Sequence, residues 1–211
     1  MLNNCNTHFY LTGGTAISRA YYNHRYSDDL DFFLSGEGDY VSQLNEVLLN
    51  LKQNNFLYSI ENKDIGYISL SVKQEKNDAI LKLEFVEDVS IHFGGFKKTE
   101  IFKKTDSIRN ILSNKLTALF RYAGKDIVDI REIAIHEKFN WSDILSEAFQ
   151  KEEGIDVITM VDIIKGIPKI EFEKIKWCKQ INWKDFCEDL DIISFDLLNG
   201  KNNSLSNTQV R

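Results

Sequence analysis

Hydrophobic positions recur along this chain in two regimes: short apolar runs broken by polar turns up to about residue 104, then apolar residues returning at spacings of three and four. Phe9-Tyr10-Leu11 reads as a short strand stopped by Gly13-Gly14, and residues 15–22 have helical composition with a threonine available as a cap. Residues 29–34 partly alternate and are rich in leucine and phenylalanine, which predicts a second strand closed by Ser35-Gly36-Glu37-Gly38. Val41, Leu44, Val47, Leu48 and Leu51 mark an amphipathic helix over 40–52. Three β-rich runs follow at 56–60, 66–72 and 79–86, separated by polar turns at 61–64 and 75–78. They predict an antiparallel meander added to the sheet. Helical spacing then holds over 108–123, 127–136, 141–150 and 155–165, the last ended by the sole proline, Pro168. The segment carrying Trp177, Trp183 and Phe186 reads as helix, and the polar tail 199–211 as frayed. The expectation is a mixed α/β domain over 1–104 and a helical domain over 105–211.

Composition narrows the class. With 211 residues, 43% of them hydrophobic, the chain can bury a sizeable core. No stretch approaches the roughly 18–20 apolar residues of a membrane span, and the first residues lack the basic-then-apolar pattern of a signal peptide, so a cytoplasmic chain with no membrane partner is expected. Cys5, Cys178 and Cys187 form no Cys-x-x-Cys pair, which argues against a disulfide framework or a zinc knuckle. A net charge of −6 argues against a protein that coats nucleic acid, because such affinity comes mainly from neutralising phosphates. Locally the balance reverses. Between residues 97 and 125, eight basic residues (Lys97, Lys98, Lys103, Lys104, Arg109, Lys115, Arg121, Lys125) face only Glu100 and Asp106. That segment is either a polyanion contact or a solvated lysine-rich loop and helix face.

Candidate chemistry begins with Asp29 and Asp31. Two apart on a strand, they point to one face, where paired carboxylates call for a cation or a shared proton; magnesium, a hard ion with oxygen ligands, suits them. The alternative is two solvated acids near a turn. Upstream, the Gly13-Gly14 turn opens a helix, and glycines with a helix N-terminus together let backbone amides approach a phosphate. The Thr15 hydroxyl would serve either a phosphate oxygen or the helix cap. Lys115 falls within the apolar stripe of Ile108, Ile111, Leu112, Leu116 and Leu119, so it faces inward and needs an anion, either an acid of the fold such as Asp126 or Asp129, or a phosphate. His8, His24, His92 and His136 have no ligand spacing, and Trp141, Trp177 and Trp183 read as core or interface.

Leu11-Thr12-Gly13-Gly14-Thr15-Ala16 followed by Arg25-x-Ser27-x-Asp29-Leu30-Asp31-Phe32 closely resembles the AbiEii type of nucleotidyltransferase, a branch of the polymerase-β-like superfamily found among bacterial abortive-infection and toxin–antitoxin systems. The likeness continues through Asn114-Lys115-Leu116-Thr117-Ala118-Leu119 and from Arg121 to Asp129. It implies a polymerase-β-like α/β (α+β) core with a mixed sheet and a helical C-terminal domain, and a third acid on a later strand. There Ile80, Lys82, Glu84 and Val86 share one face. Glu84 is the candidate, where the family more often has Asp; pairing with Lys82 is its other reading. The resemblance further implies two Mg2+ ions, with Mn2+ as a substitute, held by Asp29, Asp31 and Glu84. Nucleotide contacts would come from Gly13, Gly14, Thr15, Arg25, Ser27, Lys115 and Asp126, with Lys115 offsetting charge on the leaving pyrophosphate. It implies transfer of a nucleoside monophosphate from a nucleoside triphosphate to an acceptor hydroxyl, with tRNA as a candidate acceptor and an antitoxin as a candidate partner. A small-molecule nucleotidyltransferase and a non-catalytic nucleotide-binding protein are the competing classes.

Overall fold

A computed structural model describes residues 2–36, 38–74 and 78–207. The chain divides into two compact units, the first made of Met1–Tyr21 with Ser27–Ser107 and the second of Tyr22–Tyr26 with Ile108–Arg211.

The first unit is built on strands β1 (Tyr10–Thr12), β2 (Asp29–Ser35), β3 (Phe56–Asp64), β4 (Tyr67–Gln74) and β5 (Ile80–Asp88), joined in the order β1-β2-β5-β4-β3. The sheet is mixed: β2 and β5 run parallel, and every other pairing is antiparallel. Alternation along β2 sends Phe32 and Leu34 into the core, where Phe32 stacks on Phe85 of β5 at 5.2 Å between ring centroids. Helix α2 (Tyr40–Gln53) starts at an Asp39 cap, whose carboxylate accepts from the Ser42 amide at 2.7 Å. It buries Tyr40, Leu44, Val47 and Leu51 and ties to the sheet through the Tyr40 hydroxyl, which donates to the Phe85 carbonyl at 2.9 Å. Val41, counted in the sequence stripe, is 60% exposed; Tyr40 takes its inward place.

Two turn expectations are corrected. The polar stretch 61–64 belongs to β3, which pairs with β4 through Asp64 across a bulge between Ile60 and Asn62; the reversal falls at Ile65–Gly66 instead, with Gly66 in the left-handed region at φ +67°. β3 is an edge strand exposed along most of its length, so polar residues serve it as well as a turn. Of the turns expected at 35–38 and 75–78, residues 37 and 75–77 lie outside the described residues. The meander itself is as expected.

The second unit is helical: α3 (Ile108–Ala118), α4 (Gly124–His136), α5 (Trp141–Lys151), α6 (Val157–Lys165), α7 (Lys169–Glu173) and α8 (Trp183–Leu198). Asn140, Asp156 and Asn182 cap α5, α6 and α8 with side-chain oxygens. α4 is the central element, with Ile127, Val128, Ile130, Ile133 and Ala134 all buried. Lys151 pins α5 to α3, donating to Asn110 Oδ1 at 2.6 Å and Ser113 Oγ at 2.7 Å. α3 is shorter than its periodicity predicts, because a 3-10 turn (Leu119–Arg121) and a left-handed Tyr122 (φ 56°) end it and turn the chain back into α4. Gly166, not Pro168, closes α6, and Pro168 instead caps α7. Phe172, Trp177, Trp183 and Phe186 form an aromatic cluster in the segment beyond. The tail, expected to fray over 199–211, is docked where it is described: Asn203 donates to the Ala134 and Glu137 carbonyls at 2.7 Å, closing the C-terminus of α4, and Leu205 is buried, while residues 208–211 lie outside the described residues. Among the described residues no helix is long and apolar enough to cross a membrane.

Candidate active site

Strand pairing assembles the first cluster. Thr12 on β1 lies opposite Asp31 on β2, and Asp31 in turn lies opposite Glu84 on β5, while Asp29 lies opposite Lys82. Directly paired residues share a face, so Asp29, Asp31, Lys82 and Glu84 project together from one side of the sheet. The β1 strand ends at Thr12 and the chain enters α1 (Gly13–Thr15), which runs on as a π-helical stretch, Ala16–Tyr22. Such π segments are uncommon and recur at functional sites.

Gly13 shows why the turn must be glycine. Its φ is +67°, and a Cβ built there would stand 2.2 Å from Asp31 Oδ2 and 3.2 Å from Asp31 Cβ. Backbone therefore comes against the second acid at a distance only glycine permits. The Thr15 hydroxyl donates to the Asp29 carbonyl and fastens the first helical turn to the strand that carries the first acid. It does not cap the helix; the capping position is Thr12, whose hydroxyl is given to Asp106 Oδ2 at 2.6 Å. Asp106 is fully buried and also accepts from His92 Nε2 at 2.9 Å, while residues 104 and 106 bond the backbone of Leu11. This buried carboxylate anchors the strand end that presents the glycine turn. Sequence reading counted it only as a charge; the signal available was an acid just ahead of an apolar helix, which is too common to single it out.

Lys82 bridges the acids. Its ammonium bonds Glu84 Oε1 and stands 3.8 Å from Asp29 Oδ2. The hydrogen bond to Glu84 raises the lysine pKa above its usual value, against a smaller opposing effect of partial burial, so this ammonium stays charged. Among the described residues no three acid, histidine or cysteine side chains are close enough as they stand to enclose a metal. The donor set nevertheless fits a hard divalent ion: carboxylate oxygens on adjoining strands, with a cationic group already standing between two of them.

The second cluster lies within the helical unit. Lys115 faces inward, 5% exposed, as its stripe predicts. Its ammonium meets Asp126 Oδ1 and Asp129 Oδ2, each at 2.7 Å. Arg121 adds a two-pronged contact to Asp126 at 2.7 and 2.8 Å. Arg25 does the same for Asp129 at 2.7 and 2.8 Å, and His24 Nε2 reaches Asp129 Oδ1 at 2.9 Å. Burial by itself would raise the pKa of Asp129 and Asp126, but Lys115 with Arg25 and His24 on one, and Lys115 with Arg121 on the other, hold both below the usual carboxylate range. The same aspartates overcome the burial of Lys115 and raise its pKa.

Of the residues expected at the site, Gly13, Gly14, Thr15, Asp29, Asp31, Ser27 and Glu84 fall in the first unit, with Ser27 in the loop leading to β2. Arg25, Lys115 and Asp126 fall in the second, together with Asp129 and His24. His24, expected to be ordinary, is fully buried in the ion network. The basic segment is largely exposed, with Lys115 its one buried member, yet several of its charges have intramolecular contacts: Lys103 and Lys104 donate to the Cys5 and His8 carbonyls, Lys97 lies over the Tyr21 ring, and Arg109 pairs with Glu147.

A mixed sheet whose parallel pair carries Asp-x-Asp and a facing glutamate, with a glycine turn packed on the second aspartate, is consistent with the polymerase-β-like fold that the sequence resemblance implies. The family model described as nucleotidyl transferase AbiEii toxin, type IV toxin–antitoxin system, matches residues 2–196, and the chain belongs to this family of nucleotidyltransferases. JHP933 from Helicobacter pylori has a similar fold, with TM-score 0.63 and 18% identity over 93% of this chain and 86% of that one. A second H. pylori structure, provisionally assigned as a nucleotidyltransferase, has TM-score 0.59 and 20% identity over 99% of this chain and 92% of that one. At such identities the likeness is one of fold. Comparison with curated proteins gives no significant match.

Proposed function

We propose that the chain transfers a nucleoside monophosphate from a nucleoside triphosphate to an acceptor hydroxyl, with divalent metal held by Asp29, Asp31 and Glu84. The observation that carries this reading is the close packing of Asp31 on Gly13, because it puts an acid and a phosphate-approaching turn side by side in one rigid piece of sheet. Mg2+, or Mn2+ in its place, when bound supplies the positive charge that the triphosphate and the attacking hydroxyl require. Asp29 and Asp31, fixed by their places on β2, would hold that ion where the triphosphate binds. Glu84 stands on the neighbouring strand and accepts the acceptor hydroxyl's proton, directly or through solvent. The Gly14 and Thr15 amides, at the start of the helical turn, would be offered to phosphate oxygens. Lys115, Arg25, Ser27 and Asp126 are assigned to the nucleotide on the family resemblance alone.

For the acceptor we propose an RNA hydroxyl of the tRNA class, and for the partner a separately encoded antitoxin, both in line with the family's toxin–antitoxin membership. The test incubates purified protein with Mg2+, each α-labelled nucleoside triphosphate in turn and total cellular RNA, beside an Asp29→Ala, Asp31→Ala double variant. Label in a tRNA-sized band that vanishes in the variant supports the reading and names the nucleotide. Label only in small products redirects the acceptor to a small molecule. Triphosphate binding with no labelled product of any kind overturns catalysis by this chain.

A further inference from the structure

We propose that Lys82 is a built-in counter-cation of the acid site, holding Asp29 and Glu84 in the metal-free protein and competing with the divalent ion for them. The proposal rests on the reading of Asp29, Asp31 and Glu84 as metal-binding residues. It starts from register. β2 and β5 run parallel with Asp29 opposite Lys82 and Asp31 opposite Glu84, so three acids and one lysine share a face. Three carboxylates crowded on neighbouring strands repel one another unless a cation lies among them. Here a cation does lie among them: Lys82 is bonded to Glu84 Oε1 and stands 3.8 Å from Asp29 Oδ2.

A divalent ion bound by Asp29 and Glu84 needs the lone pairs that the ammonium now faces. Its two positive charges would also repel a neighbouring ammonium several ångströms away. Metal entry therefore turns Lys82 off Glu84. The lysine is able to turn away: its side chain is 39% exposed and rides on four methylenes, so the ammonium reaches water without disturbing the core. The consequence is a positioning residue with two effects of opposite sign. Lys82 keeps the acids assembled before metal arrives, and it weakens metal binding by the strength of the contact that must be given up.

The experiment is Mn2+ binding to the full chain, followed by electron paramagnetic resonance of the free ion, for wild type, Lys82→Met, Lys82→Arg and an Asp29→Asn, Asp31→Asn double variant. Loss of a partly exposed ion pair and its charge is expected to tighten the Mn2+ Kd of Lys82→Met by about three- to tenfold, with Lys82→Arg near wild type. Equal or weaker Mn2+ binding by Lys82→Met overturns the proposal, since a lysine that only orients Glu84 for the metal gives that result. A Mn2+-bound crystal structure decides the same question without a variant: Lys82 Nζ away from Glu84 is expected, and Lys82 still bonded to Glu84 beside bound metal refutes competition. If the aspartate double variant binds Mn2+ as wild type does, the acid-site reading itself falls and this proposal with it; if only the Lys82 results fail, that reading stands.

Discussion

Gly13→Ala separates the two reasons for a glycine at the turn. The first is conformation: at φ +67° an alanine sits in the left-handed region at a cost of about 1–2 kcal/mol. The second is space, because the new Cβ would meet Asp31 Oδ2 at 2.2 Å and Asp31 Cγ at 3.0 Å, so the carboxylate must retreat by about 1 Å to reach ordinary contact distance. A displacement of that size at a reacting centre costs on the order of 100-fold in rate. Gly66→Ala is the matched control. Its φ is also +67°, it lies at the β3–β4 reversal, and its nearest neighbours belong to Glu87 at 3.1 and 3.2 Å, none of the three acids among them. Both variants should lose about 1–3 kcal/mol in urea unfolding, with Tm lower by roughly 3–10 °C. Only Gly13→Ala should lose nucleotidyl transfer, measured with a labelled triphosphate at saturating Mg2+. Wild-type turnover by Gly13→Ala would refute the argument that the turn is packed for Asp31, and equal loss by Gly66→Ala would assign the effect to strain alone.

Asp31→Asn should lower labelling at least about 100-fold while leaving Tm nearly unchanged, because on the proposed function it removes a charge that would hold the metal, and an isosteric change at a partly exposed side chain costs little stability; a large Tm fall with retained labelling would contradict it. Asp129 and Asp126 have folded pKa values below their unfolded ones, so the unfolded chain binds more protons on acidification and the stability they give is present above about pH 4 and lost below it. Urea midpoints should therefore begin to fall near pH 4 and fall most steeply below it in wild type, and Asp129→Asn, which leaves Arg25 and Lys115 short of a buried partner, should cost about 3–5 kcal/mol at neutral pH and flatten that slope. An unchanged slope would show that the acid sensitivity lies elsewhere. Lys115→Met should destabilise by a similar amount; comparison of its triphosphate Kd with wild type under conditions where both are folded tests the nucleotide role, a tenfold or greater weakening supporting it and an unchanged Kd assigning the lysine to the fold.

What the sequence made legible follows from how local each signal was. The strand–glycine–helix unit and the Asp-x-Asp strand were readable because a period of two and a pair of glycines are encoded within a few residues, and alternation on β5 correctly put Lys82 and Glu84 on one face. The inward face of α3 was readable for the same reason, down to Lys115 within the stripe. The parallel pairing of β2 with β5 was not, since it joins residues some 50 positions apart; without it neither the Asp31–Glu84 register nor the Lys82 bridge to Asp29 exists. The pairing of His24 and Arg25 with Asp129 escaped because that partner lies more than 100 residues away. Asp106 escaped because buried acids and solvated ones look alike in sequence. For the basic segment, exposure was legible but local pairing was not: Lys103, Lys104 and Arg109 reach carbonyls or carboxylates distant in sequence, and only Lys115 is buried.

The two charge clusters obey different physics, and that bears on which one is suited to chemistry. In the helical unit, Lys115, Arg25 and Arg121 meet Asp126 and Asp129 with both carboxylates fully buried, so every charge has fixed partners and removal of one leaves another uncompensated. An ammonium has three N–H donors, and contacts to Asp126 and Asp129 engage two of them; a phosphate oxygen would have to take the third without displacing either aspartate. On the sheet, Asp29, Lys82 and Glu84 keep between a fifth and two fifths of their surface exposed, and one lysine serves two acids. Exposure makes each of those contacts weak, and weak contacts are the ones a metal ion and a triphosphate can replace during turnover. The buried network is built to persist and the sheet cluster to be exchanged, which is why the acids of β2 and β5 are the better seat for nucleotidyl transfer.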